Sequence, residues 1–161
     1  MMYRCRTDNI TKPSISKKKQ FDILIVDDEE DASFMFKTIL EARGHNVMTL
    51  KEGVSCISKC KSNAYDIIFM DYHIADIDGV QVTEFIKDIY KTNAIIFAYT
   101  GDTSKEAIAE FKNIGMIGAL IKPIDCDLLD NIMNTLEDRG CVDKNIFSKL
   151  ARKSDGSFIV F

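Results

Sequence analysis

The sequence predicts a doubly wound α/β fold, a five-stranded parallel sheet with helices on both faces. Two observations carry this. Short, continuous apolar runs recur along the chain, Ile23 to Val26, Ile67 to Met70, Ala94 to Ala98 and Ile117 to Ile121, with Val47 to Leu50 as a weaker fifth. Such runs lack the alternation of a half-exposed strand and suit a sheet covered on both faces. Between them lie segments of helical period, and strand and helix alternate five times, the signature of parallel crossovers.

The elements follow in order. After the first run come Ala32, Met35, Phe36, Ile39 and Leu40 at helical spacing, stopped by Gly44. Val54, Ile57 and Ser58 mark a second helix, and Val82, Phe85, Ile86 and Ile89 a third. Ala107, Ile108 and Phe111 mark a fourth, with Thr103 and Glu106 as its capping box. Leu128, Leu129, Ile132, Met133 and Leu136 mark a fifth. The right-handed crossover rule leaves few topologies for this order.

Three segments divide the 161 residues: a flexible basic arm over 1–20, one folded domain over 21–138, and a short extension over 139–161 too small for a separate output domain. The arm carries six Lys/Arg against one acid and the extension five against two, while 21–138 carries ten against twenty-two. An acidic domain repels nucleic acid, so none is expected as a partner. No apolar run reaches the roughly 18–20 residues that cross a bilayer, and the amino terminus has no apolar h-region, so a cytoplasmic protein is expected. Five cysteines without CxxC spacing read as reduced thiols, with Cys56 and Cys60 as small core residues rather than a metal pair. A helical turn or two around Phe147 and Leu150 and an apolar end, Phe158 to Phe161, are expected to dock on the domain itself.

Chemistry collects at the strand ends. In an open parallel sheet, ligands bind beyond the carboxyl ends of the strands. There the first strand runs into Asp27-Asp28-Glu29, the third into Asp71, the fourth into Thr100-Gly101 and the fifth into Lys122-Pro123. Grouped carboxylates repel and must hold a proton or a cation, and hard oxygen ligands suit Mg²⁺. Asp71 then serves as a nucleophile for a phosphoryl group, with Lys122 as the fixed cation and Thr100 as a hydroxyl donor. His73 reads as an exposed loop residue, and His45, after Gly44, as solvent-exposed in a turn.

Over residues 21–138 these motifs resemble the receiver domain of two-component response regulators. Val26-Asp27-Asp28-Glu29 is similar to its acidic pair, Phe69-Met70-Asp71 to its phosphoacceptor strand, and Asp78-Gly79 to its downstream turn. Thr100-Gly101 is similar to its switch hydroxyl and Lys122-Pro123-Ile124 to its lysine and following proline. The resemblance implies a phosphoacceptor protein rather than a turnover enzyme, with Asp71 taking a phosphoryl group from the phosphohistidine of a sensor histidine kinase or phosphotransfer protein. It implies Mg²⁺, replaceable by Mn²⁺, held by Asp27, Asp28, Asp71 and the main-chain carbonyl of His73, and a cis Lys122-Pro123 bond. Gly115-Met116 together with Lys122-Pro123-Ile124 looks most like receivers attached to hybrid sensor kinases. A downstream protein partner follows from the resemblance, as does room for a homodimer through the fourth and fifth helices.

Two departures bear on output. Ala75 stands where the family commonly has proline, which loosens the loop from Tyr72 to Asp78, and Ala119 stands where it has the switch aromatic. Tyr99 is no positional substitute. His73 and Asp102 occupy positions that tune phosphoryl lifetime. The alternatives are a receiver-like binding module without phosphorylation and an aspartyl-phosphate phosphatase, although the latter's second acid is replaced here by His73.

Overall fold

The computed structural model describes residues 18–161. Most of the basic arm therefore lies outside the described residues. Its last three run exposed onto the domain, where Lys18 pairs with Glu137 at 3.6 Å and Lys19 lies over the Phe21 ring at 5.4 Å.

Six strands form one sheet in the order β2-β1-β3-β4-β5-β6. The first five, β1 (Asp22–Val26), β2 (Asn46–Leu50), β3 (Ile67–Met70), β4 (Ile95–Thr100) and β5 (Gly118–Ile121), are parallel. Their connecting helices are α1 (Glu30–Ala42), α2 (Gly53–Ser62), α3 (Gly79–Asp88) and α4 (Lys105–Asn113), followed by α5 (Cys126–Arg139).

The sixth strand corrects the expected five. After α5 comes α6 (Lys144–Lys153), longer than the expected turn or two, and then β6 (Phe158–Val160), antiparallel to β5. One helix after a strand brings the chain back to the same end of the sheet; a second reverses it, so β6 runs the other way. Gly118 permits the pairing, since a Cβ there would lie 2.6 Å from the Ile159 carbonyl oxygen. No local pattern in three residues could announce this strand, because its partner edge is set by tertiary packing.

Side chains alternate between two cores. Ile23, Ile25, Ile67, Phe69, Phe97, Tyr99 and Leu120 face α1 and α5, joined by Phe147 of α6 and Phe158 of β6. Leu24, Val26, Ile68, Met70, Ile96, Ala98 and Ala119 face α2, α3 and α4. Both faces of the central strands are thus buried, as their apolar runs require.

Several local details differ from the sequence reading. Met35 on α1, Val54 on α2 and Ile89 just after α3 are exposed, while Ser33 is buried. The cap of α4 is Ser104, accepting from the Ala107 amide at 3.2 Å, rather than Thr103.

His45 is buried rather than in solvent. Its Nδ1 accepts the Phe21 amide at 3.1 Å and its Nε2 meets Glu137 Oε1 at 2.8 Å. Arg43 joins through Nε at 3.1 Å and Nη2 at 3.2 Å, tying the end of α1 to α5.

Candidate functional site

The strand ladder continues one residue past the strands and sets the site in register. The Asp27 amide donates to the Leu50 carbonyl at 3.0 Å, the Asp71 amide to the Val26 carbonyl at 2.9 Å and the Lys122 amide to the Thr100 carbonyl at 2.8 Å. Four adjacent strands thereby present Asp27, Asp71, Thr100 and Lys122 side by side at their carboxyl ends. These four predicted side chains come together, and Asp28 joins them at the cleft.

Lys122 is the centre of the arrangement. Its Nζ donates to Asp27 Oδ2 at 2.9 Å and to Asp71 Oδ2 at 3.0 Å, and it lies 4.8 Å from the centroid of the Tyr99 ring. The Lys122-Pro123 bond is cis. The second oxygens of the two carboxylates are also used: Asp27 Oδ1 accepts the Glu29 amide at 3.0 Å, and Asp71 Oδ1 accepts the His73 amide at 3.3 Å.

Burial and charged neighbours together act on Asp71 and Lys122. Asp27 is fully buried and Asp71 nearly so, whereas Asp28 is exposed. Burial pushes the Asp71 carboxyl up to about 6 despite Lys122, and the Asp27 charge adds to the rise. For Lys122, burial works against the charge, but the hydrogen bonds and charges of Asp27 and Asp71 outweigh it and hold the ammonium above its ordinary value.

A carboxylate oxygen from each of Asp27, Asp28 and Asp71 lies within 4.8 Å of the other two. This all-oxygen donor set, beside an open cleft of about 770 Å³, fits a hard divalent cation such as Mg²⁺ that keeps part of its water shell.

Around the cleft, Thr100 is buried with its Oγ1 accepting the Asp102 amide at 3.0 Å, which leaves its own hydrogen free to donate. The exposed His73 ring meets Asp102 Oδ2 at 3.3 Å across the mouth. The hydrogen bond from the Ser104 amide, with a smaller contribution from His73, holds the Asp102 carboxyl below its ordinary range. Tyr72 donates to Glu110 Oε2 at 2.9 Å and sets its ring edge-on to Phe111, joining the mouth to α4.

The sequence reading missed Asp76. Its carboxylate accepts the Gly53 amide at 2.8 Å and the Val54 amide at 3.0 Å, so the loop after Asp71 is tied to α2. The available signal was a helix beginning at Gly53 behind Glu52, which makes no side-chain cap of its own.

A family model for the response regulator receiver domain matches residues 23–134. This chain belongs to that family. The receiver is similar to a segment of the CAI-1 autoinducer sensor kinase/phosphatase CqsS of Vibrio cholerae, 31% identical over 112 residues, or 68% of this chain and 16% of that protein. It is similar also to the autoinducer 2 sensor kinase/phosphatase LuxQ of Vibrio vulnificus, 25% identical over 80% of this chain and 15% of that protein. The chain thus spans about a sixth of the length of these curated relatives. Among solved structures, a two-component response regulator from Clostridium difficile matches with a TM-score of 0.70 and 28% identity, over 76% of this chain and all of that one. The likeness to receivers of sensor kinases thus agrees with the resemblance carried by Gly115-Met116 and Lys122-Pro123-Ile124.

Proposed function

We propose that Asp71 accepts a phosphoryl group from a phosphohistidine donor in a Mg²⁺-dependent reaction, making the receiver a phosphorelay module. The observation that carries this reading is the single Lys122 ammonium shared between Asp27 and Asp71 beside Asp28. Such an arrangement offsets part of the charge of the carboxylates and sets Asp71 in the wall of an open cleft.

Asp27, Asp28, Asp71 and the His73 carbonyl would hold the cation, which when bound neutralises charge on the transferring phosphoryl oxygens. Asp71 attacks phosphorus with a carboxylate oxygen, the phosphorus–nitrogen bond breaks, and the imidazole leaves with the bonding pair. The product is an acyl phosphate on Asp71. Lys122, already 3.0 Å from Asp71, pairs with the arriving phosphoryl charge, and the Thr100 hydroxyl donates to a phosphoryl oxygen.

The donor is a sensor histidine kinase or a histidine phosphotransfer protein, a reading supported by the sensor-kinase names of the relatives. Residues 21–138 form the receiver unit, and 139–161 serve as its cover along β5. A phosphatase would need an acid two residues after the nucleophile; His73 there offers an imidazole engaged with Asp102, which favours one phosphoryl group per chain over turnover.

Intact mass after incubation with Mg²⁺ and acetyl phosphate tests the reading, followed by a phosphohistidine donor panel. One labile phosphoryl addition is expected, absent in Asp71→Asn and without metal. An addition that survives Asp71→Asn, or none from any donor while Mg²⁺ binds, overturns it.

A further inference from the structure

The segment 72–78 follows β3, lines the cleft through His73 and enters α3. Its two ends are held by the main chain. The Gly79 amide donates to the Tyr72 carbonyl at 2.9 Å, and Gly79 packs so closely that a Cβ would lie 2.0 Å from the Asp71 carbonyl oxygen. Its middle has no proline to stiffen it, since position 75 is alanine.

Asp76 supplies a different anchor. The first amides of any helix lack intrahelical partners, and α2 opens with Glu52 making no side-chain cap. Those amides are taken instead by a carboxylate over twenty positions downstream: Asp76 Oδ1 from Gly53 and Oδ2 from Val54. The hydrogen bonds from Val54 and Gly53 hold the Asp76 carboxyl below its usual range.

The neighbouring residue completes the fit. A Cβ on Gly53 would lie 2.2 Å from Ile77 Cγ2, so only glycine lets Ile77 seat there. The helix itself is fixed to the core by the fully buried Cys56. The loop is therefore fastened at its midpoint to a rigid element as well as at both ends.

We propose that Asp76 is a positioning residue: by bridging the two leading amides of α2 it holds segment 72–78 so that the His73 carbonyl stays placed for the divalent cation, a task Ala75 does not perform. The inference rests on the phosphoacceptor reading and adds to it a second route, through α2, by which the metal site is held in shape.

Calorimetric titration of the full chain with Mg²⁺ tests it. Asp76→Ala should weaken Mg²⁺ binding about tenfold, the scale of a lost outer-shell support. Asp76→Asn, which keeps one carbonyl oxygen for an amide, should recover most of it. Asp143→Ala is the structural control, because it removes two comparable cap bonds, to the Asn145 and Ile146 amides at 3.0 and 3.1 Å, far from the cleft. It should lower thermal stability and leave Mg²⁺ binding unchanged.

In the wild type, Mg²⁺ should slow hydrogen exchange at the Gly53 and Val54 amides, since coupling between two sites is reciprocal. This measurement stands even where Asp76→Ala folds poorly. Equal Mg²⁺ affinity in Asp76→Ala, equal weakening in Asp143→Ala, or exchange at Gly53 and Val54 indifferent to Mg²⁺ would each overturn the proposal alone. A wild type that neither binds Mg²⁺ nor takes a phosphoryl group removes the phosphoacceptor reading and the proposal with it.

Discussion

Replacing Arg43 by alanine strands a buried carboxylate. The Glu137 side chain is 1% exposed and takes two of its hydrogen bonds from Arg43, at 3.1 and 3.2 Å, and a third from His45 at 2.8 Å. Removing one partner of a buried ion pair costs roughly 3–5 kcal/mol, chiefly the desolvation left unbalanced. Arg43 is 17% exposed, His45 keeps its bond and Lys18 stays at 3.6 Å, which sets the expectation at the lower end, about 3 kcal/mol. For a chain of this size that is a fall in Tm of roughly 6–12 °C.

Urea denaturation of wild type and Arg43→Ala near neutral pH measures this directly, and the pH series adds a sign. Burial works to raise the Glu137 carboxyl, yet Arg43 and His45 outweigh it and hold it below its ordinary 4.5. A depressed carboxylate contributes stability that is present above its unfolded pKa and is lost as pH falls through the folded one. The gap between wild type and variant should therefore be widest near neutral pH and narrow as acid protonates Glu137, first in the variant, where burial is less opposed. A loss under about 1 kcal/mol, the worth of a surface pair, would refute the buried-cluster account, as would a gap that widens in acid.

Three further outcomes are expected. Lys122→Ala should slow phosphorylation by about a hundredfold or more by intact-mass time course, while calorimetry shows Mg²⁺ binding undiminished, because an ammonium that competes for Asp27 and Asp71 has gone. Gly79→Ala forces a Cβ against the Asp71 main chain and should cost about 1–3 kcal/mol in denaturation, with reduced phosphorylation. Phe158→Ala empties a fully packed position at the join of β6 and the core, and should cost about 3–5 kcal/mol.

The site was legible in the sequence because its residues sit at strand ends, where position along the chain fixes position in space. Once Val26, Met70 and Ile121 end their strands, Asp27, Asp71 and Lys122 must meet. What escaped depends on contacts between distant segments. His45 looked solvent-exposed because its partners, Phe21 and Glu137, lie 24 and 92 positions away. Asp76 went unread because the amides it serves belong to an earlier helix. Met35 and Val54 fit a helical period yet face outward, since the period gives a stripe but not which edge of it meets the sheet.

The antiparallel return of β6 also changes what the sheet shows to other chains. A strand at a sheet's edge is a template on which further strands can add, and long, flat edges invite such growth. Without the last segment, β5 would end the sheet as a bare edge. With it, the outermost strand on that side is only three residues long, Phe158–Val160, and Gly156 at a positive φ of 88° turns the chain just before it. A newcomer would find a ladder too short to hold it. The same short segment that fills the core with Phe158 thus also stops the sheet from growing, and a receiver stripped of it should lose solubility as well as stability.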